Sequence, residues 1–286
     1  MNSPERLLTR RAALQRMSVG ALLSAGLWPG TLRADAERPA ESFRFLAVND
    51  THCMSPECVP YLQGLVAQMK SANTEFCLHV GDLTEAGQRE HLENVKEIFS
   101  ALPGEMYPVL GNHDYLTQAD RRAYIETFRL RVNYYFHHRG WQFVGLDTTD
   151  GLRFEKTDIQ PATFEWLRDY LPRLNPRKPT VLFTHFPLGA GVMYRPRNAD
   201  ALLERFREFN LQAVFNGHYH SLTERPHRGA LITTNRCCAL KRTNHDGTKE
   251  KGYFVCEARD GRVTRTFVEY KPDIDANTKL QDTKTY

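Results

Sequence analysis

Polar residues that could bind metal ions occur in five short groups along the first 220 residues of the chain. Each group follows an apolar run that is short enough to be a β-strand. The groups are Asn49-Asp50-Thr51-His52, Gly81-Asp82, Gly111-Asn112-His113-Asp114, Thr184-His185 and Gly217-His218-Tyr219-His220. Because ligands of α/β proteins bind beyond the carboxyl ends of the strands, we expect these five groups to meet at one edge.

The donor atoms of these groups are imidazole nitrogens, carboxylates and an amide oxygen, with no thiolate. This set suits Mn, Fe, Zn or Ni better than a soft copper or iron–sulfur site. On an extended chain the side chains of Asp50 and His52 would point to the same side, so this one segment could supply two ligands to the same ion. Glycines before Asp82 and His218 would let backbone approach closely at a crowded site. His185 alone would be interpreted as a core histidine, but the whole set predicts a metal centre.

Apolar periodicity places these groups on regular elements. It predicts strands over 43–48, 76–80, 106–110, 133–138, 141–147, 180–183 and 212–215, and helices over 56–71, 88–102, 120–128, 161–171 and 199–209. Shorter strands over 222–224, 230–234, 253–257 and 262–270 follow. The alternation of strands and helices, followed by a β-rich part, predicts an α/β fold with two packed sheets and helices outside them. The predicted domain spans 37–270, and the polar end 271–286 is interpreted as a tail.

The first 36 residues have the composition of an export signal. Arg10 and Arg11 lie in a basic start, the run 19–28 is apolar, and Ala34-Asp35-Ala36 has the small residues of a cleavage site. The paired arginines predict twin-arginine export in a bacterium, with an ordinary Sec signal as the alternative. We therefore expect an exported protein, periplasmic or secreted, whose precursor meets the export machinery. The apolar run is shorter than the ~20 residues of a spanning helix, so no stable membrane span is predicted.

Charge and cysteine content narrow the function classes. The chain has 38 Lys and Arg against 34 Asp and Glu, but five of the arginines and two acids lie within 1–36. The remainder is nearly neutral, which makes a nucleic-acid partner unlikely because such proteins usually have a basic face. The six cysteines lack zinc-ribbon spacing, and disulfides are compatible with export. Cys77 and Cys256 lie in strand-like runs and are expected to be buried.

The order Asp-x-His, Gly-Asp, Gly-Asn-His-Asp, His and Gly-His-x-His resembles the calcineurin-like metallophosphoesterase superfamily. The residues of its motifs are most similar to those of the class III cyclic nucleotide phosphodiesterases. The resemblance implies the α/β/β/α sandwich of that family and two divalent or trivalent metal ions, such as Mn, Fe or Zn. It also implies the ligands, which are Asp50, His52 and His220 for one ion, Asn112, His185 and His218 for the other, and Asp82 for both.

The resemblance further implies a mechanism. A hydroxide held between the two ions attacks phosphorus, and His113 stabilises or protonates the leaving oxygen. Asp114 is expected to orient His113. The stretch from Gly81 to Glu85 lacks the tyrosine ligand of purple acid phosphatases, so a coloured tyrosinate–iron centre is not expected. The substrate is predicted to be a small phosphoester, in particular a phosphodiester such as a cyclic nucleotide.

Other functions on the same motifs stay open. The centre could serve a phosphomonoesterase or a pyrophosphohydrolase, and a nuclease is disfavoured by the near-neutral charge. A metal-binding scaffold without activity is disfavoured because all the motif residues are present. Substrate choice is expected to depend on loop residues beside the motifs, with Tyr115, Met193, Tyr194, Arg195 and Arg197 as candidates. His79 is predicted to be a sheet residue beside the site.

Overall fold

A computed structural model describes residues 41–129 and 131–272 of the chain. The predicted signal peptide, 1–36, and all but the first two residues of the predicted tail, 271–286, lie outside the described residues. The domain limits at 37 and 270 therefore stay predictions. Within the described ranges, no helix has both the length and the apolar character needed to cross a lipid bilayer.

The described residues form strands and helices that overlap every predicted element. The strands are β1 (Phe43–Val48), β2 (Cys77–His79), β3 (Met106–Pro108), β4 (Tyr134–His138), β5 (Trp141–Leu146), β6 (Thr180–Thr184), β7 (Leu211–Asn216), β8 (Thr223–His227), β9 (Ala230–Thr234), β10 (Gly252–Arg259) and β11 (Arg262–Glu269). The helices are α1 (Cys58–Lys70), α2 (Arg89–Phe99), α3 (Arg122–Thr127), α4 (Pro161–Tyr170) and α5 (Ala199–Arg205). Helix α5 is four residues shorter than predicted, and 3₁₀ turns span Asn112–Asp114 and Leu171–Arg173.

The strands form two mixed sheets. The first has the order β11-β10-β1-β2-β3, and the second has the order β4-β5-β6-β7-β9-β8. Strands β1, β2 and β3 are parallel to one another, as are β5, β6, β7 and β9, while β10, β11, β4 and β8 pair antiparallel with their neighbours. Every strand that precedes a polar group is therefore in a parallel part of its sheet.

An aromatic core lies between the two sheets. It contains Phe45 and Phe76 from the side of the first sheet, and Phe143, Phe183 and Phe215 from the second sheet. The ring of Phe45 stacks on that of Phe76 at 5.2 Å and meets that of Phe143 edge-on at 5.5 Å. Such ring geometries are favourable in addition to the burial of apolar surface.

Side-chain alternation along β1 shows how one strand serves two layers. Phe45 points into the core between the sheets, whereas Leu46 and Val48 point to an outer core formed with α1 and α2. This alternation follows from the period of two in a strand, and it requires apolar residues at nearly every position. Helices α4 and α5 cover the outer face of the second sheet in the same way. The predicted α/β/β/α sandwich is confirmed.

All six cysteines are buried and free. Cys77 lies in β2 and Cys256 in β10, where both pack as small apolar side chains, as predicted. His79 ends β2, and its Nε2 atom lies 3.0 Å from the hydroxyl of Thr51. It is thus the sheet residue beside the polar groups that the sequence predicted.

Candidate metal centre

The side chains that follow the parallel strands converge in two groups that share one residue. One group contains Asp50, His52, Asp82 and His220, and the other contains Asp82, His185 and His218. Within each group, the potential ligand atoms lie within 4.8 Å of one another, and all these residues are buried. The structure thus brings together residues 50, 52, 82, 185, 218 and 220, and their ligation of metal stays a prediction.

The carboxylate of Asp82 lies between the two groups. Its Oδ2 atom is 3.2 Å from Nε2 of His185 and 3.6 Å from Nε2 of His52. Its Oδ1 atom accepts a hydrogen bond from the backbone N–H of His113 at 2.9 Å. This bond fixes the carboxylate plane, so Oδ2 faces histidines of both groups.

Each of the four histidines has one ring nitrogen beside an acceptor oxygen. The pairs are His52 Nδ1 with Glu85 Oε2 at 2.9 Å, His220 Nδ1 with the Thr243 carbonyl at 3.2 Å, His185 Nδ1 with the Val80 carbonyl at 2.9 Å, and His218 Nε2 with the Phe154 carbonyl at 2.7 Å. All four rings are held in this way. With an ion bound, these nitrogens would carry the proton and the other nitrogens would offer lone pairs to the metal. In this structure the other nitrogens of His185 and His220 face Asp82 Oδ2 at 3.2 Å and Asp50 Oδ1 at 3.1 Å.

The backbone at the ligands is strained rather than extended. Asp50, His52, Asp82, His218 and His220 have φ between 41° and 67°, in the left-handed region that residues with a Cβ atom seldom adopt. The expectation that an extended Asp-x-His segment aligns two side chains is therefore wrong, because β1 ends at Val48 and a tight left-handed path follows. The side chains still converge, with His52 Nε2 3.8 Å from Asp50 Oδ1. Strain of this kind is typical of functional sites.

Two motif glycines are required by packing against ligand carboxylates. A Cβ atom on Gly111 would lie 2.1 Å from Asp82 Oδ1, and one on Gly217 would lie 2.5 Å from Asp50 Oδ2. Both distances are far below van der Waals contact, so any larger residue would displace a ligand side chain. This confirms that glycine is needed where backbone crosses the crowded site.

The donor atoms fit metal ions. Asn112 Oδ1 is buried without a hydrogen-bond partner, so an oxygen lone pair is available in the interior. Burial lowers the pKa of His52 to about 4 and that of His218 to about 3, so both rings are neutral at pH 7, the form that binds metals. Burial alone would raise the pKa of Asp50, but the neighbouring His220 lowers it, so this carboxylate is ionised. Burial alone would lower the pKa of His185 and His220, but Asp82 raises that of His185 to about 9 and Asp50 raises that of His220 well above its ordinary value, so the two buried carboxylates favour cations beside them.

His113 lies at the mouth of the site, and its side chain is 28% exposed. Its ring lies 4.9 Å from that of His52, and its Nδ1 atom is 2.9 Å from the carbonyl oxygen of Glu85. Asn112–Asp114 forms a 3₁₀ turn rather than an extended segment. Successive side chains of such a turn point about 120° apart. Asn112 can therefore face inward while His113 faces the opening.

Asp114 contacts the backbone and the Thr84 hydroxyl rather than the His113 ring. Its carboxylate accepts hydrogen bonds from the N–H groups of Thr84 and Gly111, both at 2.9 Å. Among the described residues, it has no hydrogen bond with the His113 ring, so the expected direct orientation of His113 is not present. Burial and the charge of Asp82 raise the pKa of Asp114 to about 7. Asp114 instead ties the 3₁₀ turn to the loop after β2.

Glu85 and Arg242 are site residues that the sequence pattern did not indicate. Glu85 contacts Nδ1 of His52, and its Oε1 atom is 3.7 Å from Nδ1 of His113. Arg242 binds the same carboxylate through two guanidinium nitrogens, with Nε 3.0 Å from Oε2. The nearness of Glu85 to the Gly81-Asp82 motif was the available signal, whereas Arg242 lies far along the chain. A carboxylate that orients a ligand histidine tunes a metal site.

The candidate substrate-contacting residues divide into structural and accessible ones. Tyr115 is buried, with its hydroxyl 3.0 Å from that of Thr149. Arg195 pairs with Asp200, and Arg197 pairs with Asp158, so both guanidinium groups already have carboxylate partners. Met193 is 54% exposed, and the ring of Tyr194 lies 5.4 Å from that of His218. Of the five, only these last two adjacent residues are both accessible and unpaired with a carboxylate.

The model of the calcineurin-like phosphoesterase family matches residues 43–222, which include all the polar groups described above. The chain belongs to the calcineurin-like phosphoesterase family. The match supports the prediction of a metal-dependent phosphoester hydrolase. Together with the two groups that share Asp82, it indicates a binuclear metal centre.

A curated relative has a narrower description. A 3′,5′-cyclic-nucleotide phosphodiesterase of Nostoc sp. is 24% identical over 159 residues. The match covers 51% of this chain and 56% of the Nostoc protein, so the chain spans little more than half of that relative's length.

Solved structures share the fold at low sequence identity. A dimetal phosphatase from Danio rerio superposes with a TM-score of 0.61 at 14% identity, over 80% of this chain and 96% of that chain. A purple acid phosphatase from yellow lupin seeds gives 0.57 at 12% identity, over 80% and 52%. GAP50, the anchor in the inner membrane complex of Plasmodium, gives 0.58 at 13% identity, over 80% and 84%. These similarities concern the fold, and they leave the substrate to the site itself.

Proposed function

We propose that the protein is a phosphodiesterase that acts on small diesters, with cyclic nucleotides as the leading substrates. The observation that carries the proposal is the position of the Asp82 carboxylate, which belongs to both groups of potential ligands. One shared carboxylate between two sets of imidazoles is the arrangement that two adjacent cations require. The description of the Nostoc relative supports the substrate class.

The chain supplies ligands for two sites. Asp50, His52 and His220 would hold one ion, His185, His218 and Asn112 would hold the other, and Asp82 would contact both. The donor set suits Mn, Fe or Zn. Bound there, two cations would neutralise the phosphoryl oxygens and lower the pKa of bound water, so that a nucleophile exists near neutral pH.

In this proposal His113 would act on the leaving group. Its Nδ1 atom faces the carbonyl oxygen of Glu85, which leaves Nε2 for the substrate. The ring belongs to neither group that contains Asp82, although one of its nitrogens lies within 4.8 Å of potential ligand atoms of His52 and Glu85. A protonated His113 could therefore donate its Nε2 proton to the departing ester oxygen without releasing a metal ligand. Its partial exposure lets the proton be replaced from solvent.

The test is reconstitution of the stripped protein. The chelator-treated chain is loaded with Mn, Fe or Zn, its metal content is measured by mass spectrometry, and hydrolysis of bis(p-nitrophenyl) phosphate, p-nitrophenyl phosphate and 3′,5′-cyclic AMP is compared. We expect two ions per chain and faster hydrolysis of the diesters. Faster hydrolysis of the monoester would make the protein a phosphomonoesterase. Two bound ions without hydrolysis of any phosphoester would favour a scaffold.

We also propose that the protein is exported through the twin-arginine pathway, on the strength of Arg10, Arg11 and the apolar run that follows. Replacing both arginines by lysine preserves charge but removes the guanidinium pair. The precursor should then stay in the cytoplasm, as measured by fractionation of a bacterial host. Unchanged export of the double variant would favour the Sec route instead.

A further inference from the structure

Aromatic side chains form a continuous surface beside the metal centre. The rings of Phe154 and Tyr194 lie 6.1 Å apart, those of Tyr194 and Tyr219 6.0 Å apart, and those of Tyr194 and Tyr219 each 5.9 Å from His245. We call this set of four residues the aromatic wall. Its four residues lie in four different loops, so the wall is a product of the tertiary structure.

The aromatic wall is attached to two predicted ligands. The ring of Tyr194 meets that of His218 at 5.4 Å, and the carbonyl oxygen of Phe154 accepts the hydrogen bond from His218 Nε2. The ring of His245 lies 5.3 Å from that of His220, and its backbone N–H bonds to the His220 carbonyl at 3.1 Å. Any group that extends from a phosphate at the metal centre toward this side would meet the wall.

The wall belongs to an apolar rim that is unusual for this protein. Phe154 is 55% exposed. The exposed large apolar side chains of the described residues all lie in loops after β3, β5, β6 and β7, and they are Leu116, Leu152, Phe154, Met193 and Leu222. These loops are the ones that surround the polar groups. Apolar exposure restricted to the mouth of a site is typical of ligand binding.

Tyr194 is held in a costly conformation. Its φ is 63°, in the left-handed region that a bulky residue seldom adopts. The next residue, Arg195, anchors the loop through a 2.9 Å hydrogen bond to the Leu188 carbonyl and an ion pair with Asp200. The surrounding contacts thus maintain a strained tyrosine next to a predicted ligand, a pattern associated with binding sites.

We propose that the aromatic wall binds a planar aromatic group of the substrate, such as a nucleobase. This inference rests on the proposed function, since it concerns the organic part of the same phosphoester. Phe154 and Tyr194 offer ring surfaces for stacking, while the hydroxyls of Tyr194 and Tyr219 and the imidazole of His245 can bond to polar edges of a base. An alkyl chain would use the ring surfaces but would desolvate those polar atoms without replacing their hydrogen bonds.

The experiment uses diesters with one leaving group and different retained groups. They are the thymidine 5′-, cyclohexyl and methyl esters of p-nitrophenyl phosphate, hydrolysed by the metal-loaded full chain. Because all three release p-nitrophenolate, differences in kcat/KM report recognition of the retained group. Base stacking predicts a preference for the thymidine ester over the methyl ester of about ten-fold or more, with the cyclohexyl ester close to the methyl ester.

Variants identify the residues that cause the preference for the thymidine ester. Phe154→Leu and Tyr194→Leu keep an apolar side chain but remove the ring, and each should reduce the ratio of thymidine to methyl kcat/KM by at least half. Phe154→Tyr keeps a ring and should retain the ratio. Tyr170→Leu is the matched control, because Tyr170 is a partly buried aromatic residue of α4 outside the site loops, stacked on Trp166. It should leave the ratio unchanged.

A binding measurement separates this inference from the proposed function. Thymidine 5′-phosphate should bind more tightly than methyl phosphate in calorimetry, and Phe154→Leu should remove that difference, whether or not turnover occurs. Hydrolysis of the methyl ester without any preference for thymidine would overturn the aromatic wall but leave the phosphodiesterase intact. The proposed role of the aromatic wall would also be overturned if the cyclohexyl and thymidine esters were hydrolysed at equal rates, and if those rates stayed equal in Phe154→Leu. Base-dependent binding without hydrolysis would support the wall and refute the proposed function.

Discussion

The two halves of the metal centre are supported by different kinds of contact. In the first group, His220 is held by the backbone carbonyl of Thr243, but Nδ1 of His52 faces the side chain of Glu85, which is itself paired with Arg242. In the second group, His185 and His218 are held by backbone carbonyls of Val80 and Phe154. Side-chain support can be altered without changing the main chain, whereas backbone support is part of the fold. Point mutations can therefore adjust the metal affinity of the first site without changing that of the second.

Asp82→Asn should have the largest effect, because Asp82 is the residue that the two halves share. An amide removes the negative charge that faces histidines of both groups, so both ions should bind weakly and hydrolysis should be lost. Metal content by mass spectrometry and kcat/KM for a diester are the measurements. Wild-type metal content together with normal turnover would show that Asp82 does not join the two sites.

His113→Ala should retain both ions but lose turnover, because His113 lies beside the first group of ligands but is in neither of the two groups that contain Asp82. The expected loss is ~10²–10⁴-fold for esters with a poor leaving group, which need a proton. Esters of p-nitrophenol should be less affected, since p-nitrophenolate leaves without protonation. The comparison of the two ester types, with metal content measured in parallel, checks this. Loss of an ion from the variant would make His113 a ligand.

Glu85→Gln should weaken one site and spare the other. An amide at this position accepts a weaker hydrogen bond from His52 and leaves Arg242 without its charge partner, so affinity for the first ion should fall ~10–100-fold. The second ion should bind as before, because its histidines depend on backbone carbonyls. Titration of the stripped chain with metal, followed by calorimetry, would resolve the two sites. Glu57→Gln is the matched control, since Glu57 pairs with Lys241 at the surface, and equal losses at both ions in Glu85→Gln would contradict the difference between the halves.

Asp114→Asn should have the smallest effect. Its carboxylate contacts backbone N–H groups of Thr84 and Gly111, and an asparagine can keep one of these two bonds through its oxygen. The 3₁₀ turn that carries Asn112 and His113 should loosen slightly, which should lower kcat by a few-fold and reduce thermal stability by ~1–3 kcal/mol. Thermal unfolding with parallel kinetics is the measurement. A loss as large as that of His113→Ala would restore a direct role for Asp114 in catalysis.

Local sequence patterns were sufficient to predict which motif residues meet. The polar groups after β1, β2, β3, β6 and β7 were recognisable because each follows a short apolar run, and parallel strands place their carboxyl ends at one edge of a sheet. The same periodicity predicted the two-sheet sandwich, since strands that are buried on both faces must be apolar at nearly every position. These inferences depend on local patterns, which a sequence displays directly.

The orientation of these side chains and the contacts that support them depend on the folded chain. Asp50 and His52 converge through left-handed backbone rather than through an extended segment, and this depends on packing that no local pattern reveals. Glu85 became a site residue because Arg242, from a distant loop, holds its carboxylate beside His52. Arg195, by contrast, was a candidate for substrate binding from its position, but Asp200 occupies its guanidinium group. Contacts between segments far apart in the chain decide such roles, because they depend on distances and burial that exist only after folding.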